Sequence, residues 1–154
     1  MEAVEGVSRV VTRFSGIPAA LAVFALAALL YSVNLDRFVH FDEIYHILAA
    51  RGILETGEPR IENGFYQRAF WYTWGLSKAF SFAGDELAVA RVPSVIAVAS
   101  VAGLLYYWIR NIAGAATAFT VSLLYAISPF AVDTALFARF YGVQALFFLS
   151  LIHI

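Results

Sequence analysis

Charged positions are so sparse along this chain that the apolar runs between them define its elements. Phe14 to Leu35 carries no charge, and as a helix it would be about 33 Å long, enough to cross a hydrocarbon core of about 30 Å. Val92 to Ile109 lies between Arg91 and Arg110; at about 27 Å it spans if both arginines snorkel. A third run, Asn111 to Val132, has its apolar body at Ile112 to Ile127, and the short Arg110-Asn111 link with Gly114 nearby predicts a tight antiparallel hairpin with the second. A fourth starts at Phe140 and is still apolar at Ile154, short of the roughly 20 residues a span needs. The expected fold class is all-α, a polytopic transmembrane helical protein with spans at about 14–35, 92–109, 111–132 and 140–154, the last cut short. A signal peptide is the competing reading of the first run, since Ala25 to Ala28 offers small-residue cleavage sites.

The long loop at about 36–91 is patterned as well. After "RFVHFDE", Ile44, Ile47 and Leu48 recur at helical spacing, and Gly57 followed by Pro59 supplies a stop, so a short amphipathic helix is expected there. Phe65 to Phe82 reads as a second helix, crowded with aromatics and carrying only Arg68 and Lys78 as charges. Such helices suit the headgroup layer of a bilayer, where rings are half buried and half wet.

Composition agrees with the runs. The 154 residues are 62% hydrophobic and 14% charged, against about 45–50% and about 25% in soluble domains. That excess is too large for one buried core, and the lipid bilayer is the expected surrounding. Ten basic and eleven acidic residues give a net charge of -1, which offers no field to draw in nucleic acid. The absence of cysteine excludes disulfide scaffolds, thiol catalysis and Cys-ligated metal sites. Basic residues in short loops set orientation. Arg9, Arg13 and Arg110 fall on one side, which places the N-terminus in the cytoplasm and puts the 36–91 loop and the connection at about 128–139 together on the opposite, extracytoplasmic face.

Those two segments hold the candidate chemistry. Asp42-Glu43 stands at the head of the first loop helix. A carboxylate there is placed to act as general base on an acceptor hydroxyl or amine, and Asp42 equally suits a plain N-cap, with both charges favoured at the positive helix end. Neighbouring helical residues diverge, so at most one of the two is the base. "HFDEIYH" also reads as a possible divalent metal cluster through His46, although its D-E-x-x-H spacing lacks the first histidine of a zinc protease helix; the alternative is a hydrogen-bonded interfacial histidine. In the second segment, Asp133, Arg139, Tyr141 and Gln144 lie at the head of the fourth run. Arg139 is either a snorkelling anchor or a guanidinium that clamps a phosphate by bidentate hydrogen bonds.

The order of an N-terminal span, Asp-Glu with "IYHILAARGILETGEP", then "NGFYQRAFWYTWGLSKAFSFAGDELAVARVPSVIAV", a hairpin and "ARFYGVQALFF" resembles the GT-C membrane glycosyltransferases. The likeness is to the group of protein O-mannosyltransferases, aminoarabinose transferases and rhizobial lipopolysaccharide sugar transferases, and it covers residues from about 15 to 148. In that group the first extracytoplasmic loop opens with Asp-Glu, carries juxtamembrane helices and ends in a glycine and an A-x-R-x-P-S entry to the second span. Here those positions read Gly84, Ala90 with Val89 before it, Arg91, Pro93 and Ser94. The resemblance implies that Asp42 is the base for inverting attack on a polyprenyl-phosphate sugar with Glu43 in support, and that Arg139 and Tyr141 contact donor or acceptor. The aminoarabinose transferases have Glu-Lys-Pro where this chain has Gln67-Arg68-Ala69, so Arg68 stands as a substitute cation. The implied function is transfer of a sugar from a polyprenyl-phosphate donor to an extracytoplasmic lipid, glycan or protein at the cell (inner) membrane.

Members of that group have more spans, so this chain is expected to be the N-terminal part of a longer protein. Its last six residues, Leu149 to Ile154, match one reading frame of a transposase-end adapter and are expected to be foreign to it. The rival reading is a non-catalytic membrane scaffold or transporter subunit. Transport calls for ionisable groups inside the spans, and the three complete runs have none.

Overall fold

A computed structural model describes residues 16–62 and 64–152. Arg9 and Arg13, which set the expected orientation, the start of the first run at Phe14, and His153 and Ile154 of the tail lie outside the described residues. The chain is mostly helical, in the order α1 (Ile17–Ser32), α2 (Phe41–Thr56), β1 (Arg60–Ile61), β2 (Gly64–Phe65), α3 (Phe70–Ala83), α4 (Leu87–Ala113), α5 (Ala115–Ala126), α6 (Pro129–Ala135) and α7 (Tyr141–Leu151).

The central element is α4, against which α1, α3, α5, α6 and α7 all pack. Its contact face is built from small residues. Ala27 of α1, Ala99 and Ala102 of α4, Ala118 of α5, and Ala131 and Ala135 of α6 are buried in one cluster with Tyr31, Val95, Val98 and Tyr106. Helices lined this way approach closely, and two glycines mark the tightest crossings. A Cβ on Gly103 would stand 3.0 Å from the Ala20 carbonyl oxygen of α1, and one on Gly142 of α7 would stand 2.8 Å from a Val98 methyl of α4. A second apolar cluster holds Ile47 and Ala50 of α2, Leu76 and Phe80 of α3, Ala90 at the start of α4, and Ala138 between α6 and α7. This cluster clamps the α2–α3 layer onto one end of the bundle, against the α6–α7 connection.

Among the described residues α4 alone is long and apolar enough to cross a bilayer by length and composition, and α5 with α6 passes the same test only as a pair bent by 61°. The helices α1 and α7 are apolar but shorter. The expected third span at 111–132 is therefore interrupted. The Ser128 hydroxyl accepts a hydrogen bond from the Ala131 N–H and Pro129 opens the new helix, an N-terminal signal that stops α5 and restarts the chain in a new direction.

Other boundaries shift for similarly local reasons. The turn between the second and third runs lies at Gly114, whose φ of 84° is left-handed, and not at Arg110-Asn111, because only the glycine accepts that backbone without strain. The second loop helix starts at Phe70 and not at Phe65, since Gly64–Phe65 pairs with Arg60–Ile61 in a small antiparallel hairpin. That hairpin is a small addition to a chain that is otherwise helical, as expected. It rests on Gly52 of α2, where a Cβ would collide with the Arg60 backbone oxygen. The first loop helix matches expectation at its end, with Gly57 closing α2 in the left-handed conformation.

Candidate functional site

The head of α2 carries the two adjacent carboxylates, and the structure separates them. His40, not Asp42, is the N-cap: its Nδ1 accepts from the Asp42 N–H at 3.3 Å, and its own N–H donates to Glu43 Oε1 at 3.0 Å. This reciprocal arrangement turns Glu43 inward and leaves Asp42 on the outer side of the first turn.

Glu43 is 1% exposed and accepts four hydrogen bonds. Arg91 donates from Nε at 3.0 Å and from an Nη at 2.8 Å, and the Ala138 N–H donates at 2.9 Å. Each carboxylate oxygen thus accepts twice, which fills its capacity. Arg91 is equally satisfied. Besides the two bonds to Glu43, it donates to the backbone oxygens of Leu35, Arg37 (3.0 Å) and Phe38 (3.2 Å), so all five of its N–H groups are used. The expectation that Arg91 snorkels is corrected, since the side chain is fully buried. An arginine this deep is stable only with a paired, fully hydrogen-bonded partner, and Glu43 is that partner. Burial alone pushes the Glu43 pKa up, but the hydrogen bonds from Arg91, Ala138 and His40 and the Arg91 charge outweigh it and hold the carboxyl below its ordinary value. One ion pair therefore ties together the α1–α2 connection, α2, α4 and the α6–α7 connection.

Asp42 is in a different situation. Its side chain is 44% exposed and accepts one hydrogen bond, at 2.8 Å, from Arg139. The two segments expected to share a face do meet, at Asp42 and Arg139. Arg139 is only 10% exposed. Its guanidinium lies 4.8 Å from the Tyr141 ring centre and 6.0 Å from that of Phe137, and its Nε is buried without a hydrogen-bond partner. Its backbone is held as well: Tyr72 and Ser94 share a hydroxyl contact at 3.2 Å, and Ser94 Oγ donates to the Arg139 carbonyl at 3.1 Å. Burial foremost, with the Glu43 charge adding to it against the Ser94 hydrogen bond, raises the Tyr72 pKa and keeps the phenol protonated. Further along the same seam, Arg37 bonds Asp133 at 3.1 Å and the His40 ring packs on Phe137 with centres 4.8 Å apart.

His46, one turn beyond Asp42, is fully buried. Its Nδ1 lies 2.9 Å from Thr73 Oγ1 and its Nε2 lies 3.4 Å from the Tyr66 hydroxyl. Tyr66, Tyr72 and Phe140 present edges or faces to the imidazole. Burial, aided by the Arg139 charge, lowers its pKa to about 4, so the ring is neutral. The metal reading of "HFDEIYH" does not fit this geometry. Both His46 nitrogens, both Glu43 oxygens and the Asp42–Arg139 pair are already engaged with different partners, and among the described residues no three His, Asp or Glu side chains converge on a point. Arg68 is exposed in the turn before α3 and makes no ion pair with a described residue; no contact joins it to Asp42 or Arg139.

Sequence reasoning passed over Thr73, Tyr66 and Tyr72 and took Ser94 only as part of a motif, though these polar groups fix His46 and Arg139. Their one signal is a scatter of hydroxyls in otherwise apolar or aromatic stretches, which becomes informative only once the helices are paired. No family model, curated protein or solved structure matches this chain.

Proposed function

We propose that the chain is the N-terminal part of a polytopic membrane glycosyltransferase of the GT-C type, moving a sugar from a polyprenyl-phosphate donor to an extracytoplasmic acceptor. The observation that carries this reading is the split between the two carboxylates: Glu43 is sunk and saturated, while Asp42 stands half exposed against an aromatic-flanked arginine from the other segment. A general base needs an accessible lone pair, and a phosphate leaving group needs a fixed cation nearby. Both requirements are met within one contact.

In this reaction the acceptor hydroxyl gives its proton to the Asp42 carboxylate as its oxygen bonds to the anomeric carbon with inversion. The bond between that carbon and the phosphate oxygen breaks, and the polyprenyl phosphate leaves with the electron pair, its added negative charge stabilised by Arg139. Tyr141 holds the guanidinium in orientation. Glu43 takes no proton; it positions α2 by accepting from Arg91 of α4 and from the Ala138 N–H of the α6–α7 connection.

The membrane placement draws on separate features. At 27 residues α4 is about 40 Å long, so a helix crossing about 30 Å of hydrocarbon projects beyond it by two turns. The α2–α3 layer sits at the end holding Arg91. From that layer Trp71 and Phe82, and from the α1–α2 connection beside it Phe38, project as exposed rings, a distribution suited to a headgroup region. The bent α5–α6 pair and the shorter α1 and α7 complete the bundle around α4, with α6 and the Arg139 turn at the extracytoplasmic surface.

The test is sugar transfer by the full-length protein carrying Asp42→Asn. Loss of transfer by about 10²-fold or more in a protein that remains folded is expected, and transfer at the parental rate would remove Asp42 as the base.

A further inference from the structure

Arg139 and Asp42 form a pair in which one partner is fixed and the other is free to leave. The guanidinium is flanked by the Tyr141 and Phe137 rings, its backbone carbonyl is held by Ser94, and it is nine-tenths buried. Asp42 is half exposed, and Arg139 is the only side chain seen to hold its carboxylate among the described residues. Because α2 is pinned by Glu43 and not by Asp42, the Asp42 carboxylate can swing away by side-chain rotation with no movement of the helix. The pair is also incomplete. A carboxylate in bidentate contact with arginine takes two N–H groups, whereas Asp42 takes one and leaves the buried Nε without a partner. An unsatisfied buried donor favours any anion that reaches it.

We propose that the Asp42–Arg139 pair is a resting contact exchanged on donor binding. The phosphate of the donor replaces the Asp42 carboxylate on Arg139, engages the Nε that Asp42 leaves unpaired, and releases Asp42 to act on the acceptor. The exchange rests on the transferase reading given above and adds an order to it: the carboxylate is turned onto Arg139 until the phosphate arrives, so donor binding precedes its turn toward the acceptor. The donor's phosphodiester carries one negative charge and two free oxygens, as Asp42 does; its advantage on Arg139 is the second hydrogen bond, to the Nε that Asp42 leaves unpaired.

The exchange makes a prediction that a plain electrostatic or structural role does not. Removing a residue of the active site should tighten the binding of a phosphate-bearing ligand. In the full-length protein in detergent, Asp42→Asn is expected to bind a polyprenyl phosphate, the leaving product that carries the donor's phosphate, roughly twofold to fivefold more tightly than the parent, the range set by loss of a half-exposed competing ion pair. The corresponding polyprenol, lacking phosphate, should show no gain. Asp133→Asn removes the same charge from the neighbouring Arg37 pair and should leave affinity unchanged. Arg139→Lys keeps the charge but loses the planar fork, and should weaken binding while the protein stays folded. A gain seen with inorganic phosphate as well supports exchange by a phosphate group from either source, and a gain confined to the lipid supports it for lipid-borne phosphate.

Equal affinity in Asp42→Asn and the parent, with Arg139 still required, overturns the exchange and leaves the transferase reading standing. An equal gain in Asp133→Asn also overturns it, since general charge repulsion would then account for the effect. Phosphate binding indifferent to Arg139→Lys overturns the exchange and removes Arg139 from the donor side of the site.

Discussion

Glu43 and Asp42 are neighbours in sequence with nearly the same chemistry, yet the ground beneath the site and its surface treat them oppositely. Glu43 is buried with every lone pair occupied, bonded to an arginine with every N–H occupied. Asp42 has one partner and open solvent beside it. The difference arises from a single helical step of about 100°: once His40 caps α2 and Glu43 bonds back to the cap, one side chain must face the bundle and the next must not. A carboxylate saturated with donors holds a fold together and makes a poor base. A carboxylate with a free oxygen contributes little to the fold and is available for proton transfer.

The largest effect that sharpens this contrast lies in stability. Glu43→Gln or Arg91→Met leaves one half of a buried pair without its counter-charge, and each is expected to cost about 3–5 kcal/mol, read as a fall in the thermal unfolding midpoint of the purified protein. The Glu43→Gln and Arg91→Met double variant is expected to lose less than the sum of the two, because the charges are coupled. Strict additivity would break the account of Glu43 and Arg91 as one unit.

A next, smaller effect is pH dependence. The folded His46 pKa of about 4 lies below its ordinary value near 6.5. The unfolded chain therefore takes up a proton on His46 before the folded one does. Stability is full above pH 6.5 and falls as pH drops toward 4, by about 3 kcal/mol in total. Glu43, held below its ordinary value, contributes stability that is present above the usual carboxylate range of about 4.3 and lost as pH falls below it. Unfolding midpoints measured from pH 7.5 to 4.5 should decline for the parent and flatten for His46→Gln. An unchanged slope in that variant would assign the acid sensitivity to other groups.

Comparable in size is the close contact under the site. Gly142→Ala drives a methyl into Val98 and toward the Ser94 carbonyl, and overpacking of this kind costs about 1–3 kcal/mol. Since α7 begins just after Arg139, transfer should fall along with stability, and a variant with both unchanged would show that the α4–α7 crossing does not set the site. The smallest effect belongs to Arg37–Asp133, the other ion pair across the seam. Both side chains are substantially exposed, so Arg37→Ala is expected to cost no more than about 1 kcal/mol in the unfolding midpoint. A loss as large as that of Arg91→Met would erase the distinction between the surface and the ground beneath it.

Much of this arrangement is legible in the residue order, and the reasons differ by region. The apolar runs locate the long helices because charge-free stretches have few other ways to fold, and Gly57 marks the end of α2 because its left-handed backbone suits glycine. Placing both segments on one face puts Asp42 and Arg139 in the same neighbourhood without pairing them. What the residue order does not reveal is long-range pairing. Arg91 looks like an anchor until Glu43, far away in the chain, is brought to it. The break at Ser128-Pro129 is written in capping chemistry but masked by the apolar run around it. The hairpin at Arg60–Phe65 is too short to carry a pattern.

The central claim is that of two adjacent carboxylates one works and the other holds. Its most direct test measures unfolding midpoint and sugar transfer side by side for full-length Asp42→Asn and Glu43→Gln. Asp42→Asn should unfold close to the parental temperature, with a stability change of no more than about 1 kcal/mol, and lose transfer by about 10²-fold or more. Glu43→Gln should lose several kcal/mol of stability. The account is contradicted if Asp42→Asn transfers sugar at the parental rate, or if it is Glu43→Gln that remains stable while losing activity.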